Sequence, residues 1–287
     1  MRTSSVQELT ENSIELYTLP DIYFQLTEMI TDPRFSAEDL GRVIIKDPAL
    51  SIRLLKLVNN SRPDSQSKID TVSRAVVVVD TEDLKKLLLG TSIIDSFRDI
   101  PPDLVNMTDF WIHSLRCGVI VRRLARETLV LHCERLFLAG LLHNIGSLLI
   151  YNKLPEQESQ VLSKAKYDRT KVPLLEQKIL GFNYAEVGGA LIKNWRLPES
   201  FFESVNYHLQ PEKALVYRSD TFLVAIAVYC ANGMEQGKPA ERIVEEIESS
   251  WLSGINLEQG QIKTIIEQAD SEFEQVFEMM SGNKKLH

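Results

Sequence analysis

Arg135-Leu-Phe-Leu-Ala-Gly-Leu-Leu-His-Asn-Ile-Gly-Ser-Leu-Leu-Ile-Tyr151 is apolar on nearly every face and carries a histidine near its middle. A helix apolar all round belongs at the centre of a domain, and His143, Asn144 and Gly146 interrupt the run too early for it to cross a membrane. An imidazole in that position needs a hydrogen-bond partner or a metal, because an unpaired buried polar group costs about 1–3 kcal/mol. The residues alone leave both open.

Helical periodicity extends to both sides of this stretch. Upstream, a helix from Asp21 to about Ile30 stops at Thr31-Asp-Pro33, and Ser36-Ala-Glu-Asp39 is an N-cap for the next. Asp47-Pro48 opens another, whose Leu50, Leu54, Leu57 and Val58 form one stripe at i, i+4, i+7 and i+8. Ala75-Val-Val-Val-Val79 has strand propensity but no second strand to take its hydrogen bonds, so residues 71–79 are expected to form a buried helix. A helix capped at Thr81 follows. Asp99-Ile-Pro-Pro-Asp103 reads as a linker.

Downstream of the linker, a long helix from Thr108 to about Thr128 carries Trp111, His113, Leu115, Val119, Leu124 and Ala125. Its Arg116, Arg122, Arg123 and Arg126 are expected to make a solvated face. Further helices are expected over Leu174–Leu180, Tyr184–Asn194, Glu199–His208, Thr221–Ala231 and Ala240–Ile247. On the last helix, Ile262, Ile265, Ile266, Ala269, Phe273, Val276, Phe277 and Met280 draw one stripe. It should dock on the preceding domain through Ile266, Phe273 and Phe277.

Composition narrows the classes of function. The chain has 287 residues, 44% of them hydrophobic, which is enough for a full core without staples. Lys and Arg total 32 against 40 Asp and Glu, so a net charge of −8 gives no footprint for nucleic acid or an anionic membrane. Cys117, Cys133 and Cys230 form no CxxC pair and read as small buried hydrophobes in a reducing compartment. No secretory signal is visible at the N-terminus, so a cytoplasmic location is expected.

Leu141-Leu-His-Asn-Ile-Gly146 resembles the His-Asp-x-Gly core of the HD superfamily of metal-dependent phosphohydrolases, with asparagine where the aspartate should be. The order Asp47-Pro-Ala-Leu-Ser51, Leu54-Leu-Lys-Leu-Val-Asn-Asn-Ser61, Trp111-Ile-His-Ser114, Leu141 to Gly146, Gly181 to Gly188 and Trp195-Arg-Leu-Pro198 is similar to the HDOD family, HD-related output domains of bacterial signalling proteins. Asp80 departs from the glycine usual after the Ala75 helix. The resemblance implies an all-α fold with an N-terminal helical subdomain, residues 14–100, packed on an HD-like one, residues 101–215. Residues 1–13 are expected to be frayed and the helices of 216–287 to pack on the HD-like subdomain.

Residue by residue, the resemblance places His113, His143 and His208 at metal-ligand positions of catalytic HD proteins. Asn144, Tyr184 and Tyr207 stand where the other ligands belong, and the late aspartate is lost within Val228-Tyr-Cys-Ala231. Asparagine brings no charge, and tyrosine is a poor ligand for the hard cations of phosphoryl chemistry. These six positions therefore read as vestigial. The expectation is a non-catalytic signalling module that binds partner proteins, with no metal or other cofactor, no nucleic acid and no membrane.

The alternative is a phosphohydrolase holding a divalent metal at His113, His143 and His208, with Glu186, Glu203 or Asp220 replacing the missing carboxylate. A pocket that binds a nucleotide-like ligand without turning it over is a third reading. Nothing resembling a Gly-Tyr-Pro signature supports cyclic dinucleotide hydrolysis.

Overall fold

The apolar stretch around His143 folds as two helices where its sequence reads as one. In a computed structural model, α6 (Cys133–Leu142) ends at a turn of His143 and Asn144, and α7 (Ile145–Lys153) begins immediately after it. Two hydrogen bonds mark the break. His143 turns its imidazole back to Gly140 O, and Asn144 O accepts the N–H of Ser147 to restart the helix. The structure describes residues 5–11, 21–44, 54, 57–58, 69, 72–81, 83–85, 87, 100, 104–128, 130, 133–166, 168–194, 197–255 and 257–281.

Every regular element among the described residues is helical, as the sequence led us to expect. The chain divides into two compact units, one of residues 1–15 and 99–273 and the other of residues 16–98 and 274–287. In the second, α3 (Ala37–Ile44) packs on α2 (Asp21–Thr31) and on α4 (Val72–Val78). Ser36 and Asp39 cap α3 reciprocally, each side chain accepting the other's backbone N–H. Leu26, Ile44, Leu54, Val58 and Ala75 are buried there, while Leu50 lies outside the described residues. The valine run is helical despite its strand propensity. Its burial is one-sided, however: Val72, Ala75 and Val76 are buried, whereas Val77 is 71% exposed.

The first unit is built on α5 (Met107–Glu127), started by Asn106, whose side chain accepts the N–H groups of Thr108 and Asp109. Both α6 and α12 (Arg218–Glu235) pack along it. Close approach of α5 and α6 needs glycine, because a Cβ on Gly140 would lie 2.8 Å from the Cα of Gly118. Next, α8 (Pro155–Ala165) packs on α7 and on α9 (Val172–Ile179). In the same unit, α10 (Tyr184–Asn194) lies on α7 and α11 (Glu199–Tyr207). There a Cβ on Gly146 would meet Tyr184 O at 2.1 Å, so backbone touches backbone.

Two differences from the sequence reading concern burial. Val6–Glu11, inside the segment expected to be frayed, is a helix, α1, that packs on α10 and α7 with Leu9 and Thr10 buried. The arginines of α5 do not share one solvated face. Arg122 is buried with its guanidinium 5.1 Å above the Phe137 ring, and Arg116 stacks 4.8 Å above Phe273. After the short α13 (Ala240–Glu245) and α14 (Ser249–Ser253), α15 (Gln259–Ser281) buries Ile262, Ile265, Ile266, Ala269 and Phe273. Contacts from Arg116 to Phe273 and from Arg123 to Gln268 place that stripe on α5. The Phe277 side chain lies outside the described residues.

Candidate functional site

Five segments of the first unit converge on one buried polar cluster. From α5 come His113, Ser114 and Cys117, and from the turn before α7 come His143 and Asn144; all five are buried. Tyr184 opens α10, and His208 is the residue after α11. Glu235 ends α12, and Asn232 and Val228 precede it on the same face at helical spacing. The rings of His113 and His143 are 5.2 Å apart, and those of His143 and His208 are 5.3 Å apart.

The hydrogen bonds fix the tautomers. His143 Nδ1 lies 2.7 Å from Gly140 O and must donate to it, which leaves the Nε2 lone pair free. Nδ1 of His113 lies 2.9 Å from Glu235 Oε1 and donates in the same way, so its Nε2 carries a lone pair 3.7 Å from Cys117 Sγ. His208 is engaged at both nitrogens. Its Nδ1 donates to Val205 O at 2.7 Å, and its Nε2 accepts the Tyr184 hydroxyl at 3.1 Å.

These environments keep the imidazoles neutral. Burial drives His143 well below the usual histidine range, with the charges of His113 and His208 acting in the same direction. His208 is lowered to about 4, chiefly by burial. Burial also lowers His113, against the bond to Glu235 that would raise it. At Glu235 burial works upward, but the bond from His113 and the charges of Arg169 and Arg116 hold the carboxylate below its ordinary value. Arg169 Nε is 3.3 Å from Glu235 Oε2, and Arg116 Nη1 is 3.5 Å from Oε1. Burial raises the thiol of Cys117 well above its usual value.

Beside the cluster is a cavity of about 390 Å³. His113, His143, Asn144, Ser147, Tyr184, Arg169 and Asn232 line it, together with Asn106, Asp109, Tyr151 and several apolar side chains. Of the six positions carried by the resemblance, five are brought together. Tyr207 is not, for it is half-buried and packs on Phe202 with ring centroids 5.8 Å apart.

The hard divalent cation implied by the resemblance does not fit this donor set. Asn144 Oδ1 shares the Ser114 hydroxyl with Phe110 O, each at 2.9 Å, and brings no charge, while Tyr184 and His208 satisfy one another. The proposed substitute carboxylates are all engaged elsewhere, and none lines the cavity. Glu186 accepts the N–H of Asn183 at the start of α10, and Asp220 pairs with Arg135. Glu203 takes the N–H groups of Leu215, Val216 and Tyr217.

Sequence reading missed Cys117, Ser114, Arg169, Asn232 and Glu235. Cys117 and Glu235 left a signal in their spacing. Cys117 is four residues after His113 on one helix, and Val228, Asn232 and Glu235 fall at i, i+4 and i+7 on another. Arg169 left none, because it reaches the site from the short 3-10 turn Arg169–Lys171.

Comparison with known proteins agrees with this architecture. The HDOD domain matches residues 16–211, so this chain belongs to the HDOD family. A structure from Shewanella amazonensis SB2B named "Putative phosphohydrolase" superposes with a TM-score of 0.76 at 22% identity, covering 96% of this chain and 98% of that one. Another, from Marinobacter aquaeolei VT8 and named "Putative signal transduction protein", gives 0.69 at 21% identity, covering 94% of this chain and 61% of that one. At these identities the likeness is one of fold. An uncharacterized protein of Treponema pallidum (strain Nichols) is 26% identical over 279 residues, 95% of this chain. The chain spans about half the length of that curated relative, 52%. No helix among the described residues is long and apolar enough to cross a membrane.

Proposed function

We propose that this chain is a non-catalytic signal-transduction module that acts by binding other proteins and whose HD-like pocket serves as a hydrogen-bonded core. One observation carries the reading: the residue in the aspartate position, Asn144, is a buried neutral amide beside the Ser114 hydroxyl and supplies no anion to the pocket. Hydrolysis of HD type needs a cation that polarises the phosphoryl oxygen and activates a water, and that cation needs anionic ligands to stay bound. The name of the Marinobacter relative is in keeping with this reading.

The test is turnover. Tag-free protein is given phosphomonoester and phosphodiester substrates in the presence of magnesium, manganese, ferrous or zinc ions. The expected rate is no higher than that of His143→Ala. Turnover that vanishes on chelation and in His143→Ala would establish a phosphohydrolase instead.

A further inference from the structure

The same cluster that fits a hard cation poorly offers a different set of donors. One ring nitrogen each of His113 and His143 and the Sγ of Cys117 lie within 4.8 Å of one another, and all three residues are buried. We propose that His113, Cys117 and His143 form a zinc site, with a fourth coordination position open to the cavity. The inference rests on the geometry of the cluster and not on the signalling reading, and a zinc ion here would make the pocket a metal-held core in place of a purely hydrogen-bonded one.

Three observations support it. First, both imidazoles are already arranged as ligands. Each donates its Nδ1–H to a fixed acceptor, Glu235 for His113 and Gly140 O for His143, which leaves Nε2 as the lone-pair atom. A carboxylate or backbone carbonyl behind the ring is the usual support of a metal-bound histidine. Second, the spacing fits. Tetrahedral zinc with a nitrogen at about 2.0 Å and a sulfur at about 2.3 Å places the two donors about 3.5 Å apart. His113 Nε2 and Cys117 Sγ are 3.7 Å apart, one helical turn from each other on α5.

Third, the cavity suits a fourth ligand. Asn232 lines it and has a buried Oδ1 with no hydrogen-bond partner among the described residues, an acceptor for a metal-bound water. Arg169 lines it too and favours an anion at that position. His208 is excluded from the set because both its nitrogens are bonded. The thiol therefore replaces the third imidazole, and it makes the site soft: thiolate and imidazole select zinc over magnesium or manganese. Binding exchanges one proton for the metal. The Cys117 S–H bond breaks, a sulfur–zinc bond forms from the same electron pair, and the proton leaves to solvent.

Cobalt(II) is the probe, added to the tag-free, metal-stripped 287-residue chain. One equivalent should produce the visible bands of a tetrahedral ion and a near-ultraviolet thiolate-to-cobalt charge-transfer band, and one equivalent of zinc should abolish both. The charge-transfer band should be absent from Cys117→Ser, whose folding is checked by a cooperative metal-free melt, and should persist in Cys133→Ser. No such band at one equivalent, or one that survives in Cys117→Ser, overturns the proposal. Should Cys117→Ser fail to fold, X-ray absorption at the zinc edge of the wild type decides. One sulfur among nitrogen neighbours supports the site, and nitrogen and oxygen alone refute it.

Discussion

Two buried polar clusters lie within one unit of this molecule and are satisfied very differently. In the histidine cluster, His113, His143, His208 and Tyr184 each have a partner, from a carboxylate, a backbone carbonyl or one another. The second cluster is Glu158 of α8 and Glu176 of α9. Glu158 is fully buried with neither oxygen hydrogen-bonded among the described residues, where Glu176 uses only one oxygen, on the N–H of Tyr184 at 2.8 Å. Neutral imidazoles can be buried cheaply because each has one donor and one acceptor to satisfy, whereas a carboxylate must lose its charge or be paired. The first cluster therefore costs little to bury at neutral pH, and the second makes stability fall as pH rises.

The largest expected effect comes from opening the histidine cluster. His208→Ala removes the acceptor of the Tyr184 hydroxyl and the donor to Val205 O, and it leaves a cavity. Denaturant unfolding at pH 7 should show a loss of about 2–4 kcal/mol. His208 is held at about 4, below its value in the unfolded chain, so its contribution is full above about 6.5 and is lost as pH falls through about 4. That acid limb should shrink in the variant. An unchanged midpoint would mean that the cluster is not the satisfied core described.

A smaller effect, opposite in sign, is expected at the glutamates. Burial raises Glu158 to about 7, and burial together with the Glu158 charge raises Glu176 well above its ordinary value. A carboxyl raised in the folded state contributes stability below its unfolded value of about 4.5, and this is lost as pH rises through its folded value. Wild-type stability should thus decline from about pH 5 to pH 8. Glu158→Gln should flatten that decline and be more stable than wild type at pH 8 by roughly 1–3 kcal/mol. A Glu158→Gln profile parallel to wild type would erase the contrast between the clusters.

How much of this was legible depended on whether the relevant physics was local. Helix starts were readable where a cap is written in neighbouring residues, as at Ser36 with Asp39, and the valine run was correctly assigned because a lone strand has no ladder to join. The break at His143 was not readable, because it depends on a side chain folding back to Gly140 and on α10 pressing against Gly146. Periodicity found the buried face of α15 but could not distinguish an arginine in water from one laid on an aromatic ring, as with Arg122 on Phe137. The resemblance located His113, His143, Asn144, Tyr184 and His208 together. It could not supply Cys117, Glu235 or Arg169, which lie outside the motif and join the site only through folding.

The claim on which the functional reading rests is that Asn144 leaves the pocket unable to hold the hard cation of phosphoryl chemistry. Manganese(II) titration of tag-free wild type, followed by the electron paramagnetic resonance signal of the free ion, tests it most directly. The account predicts no saturable site tighter than about 1 mM. One equivalent bound in the micromolar range, with the site abolished by His143→Ala in a variant that still melts cooperatively, would contradict it.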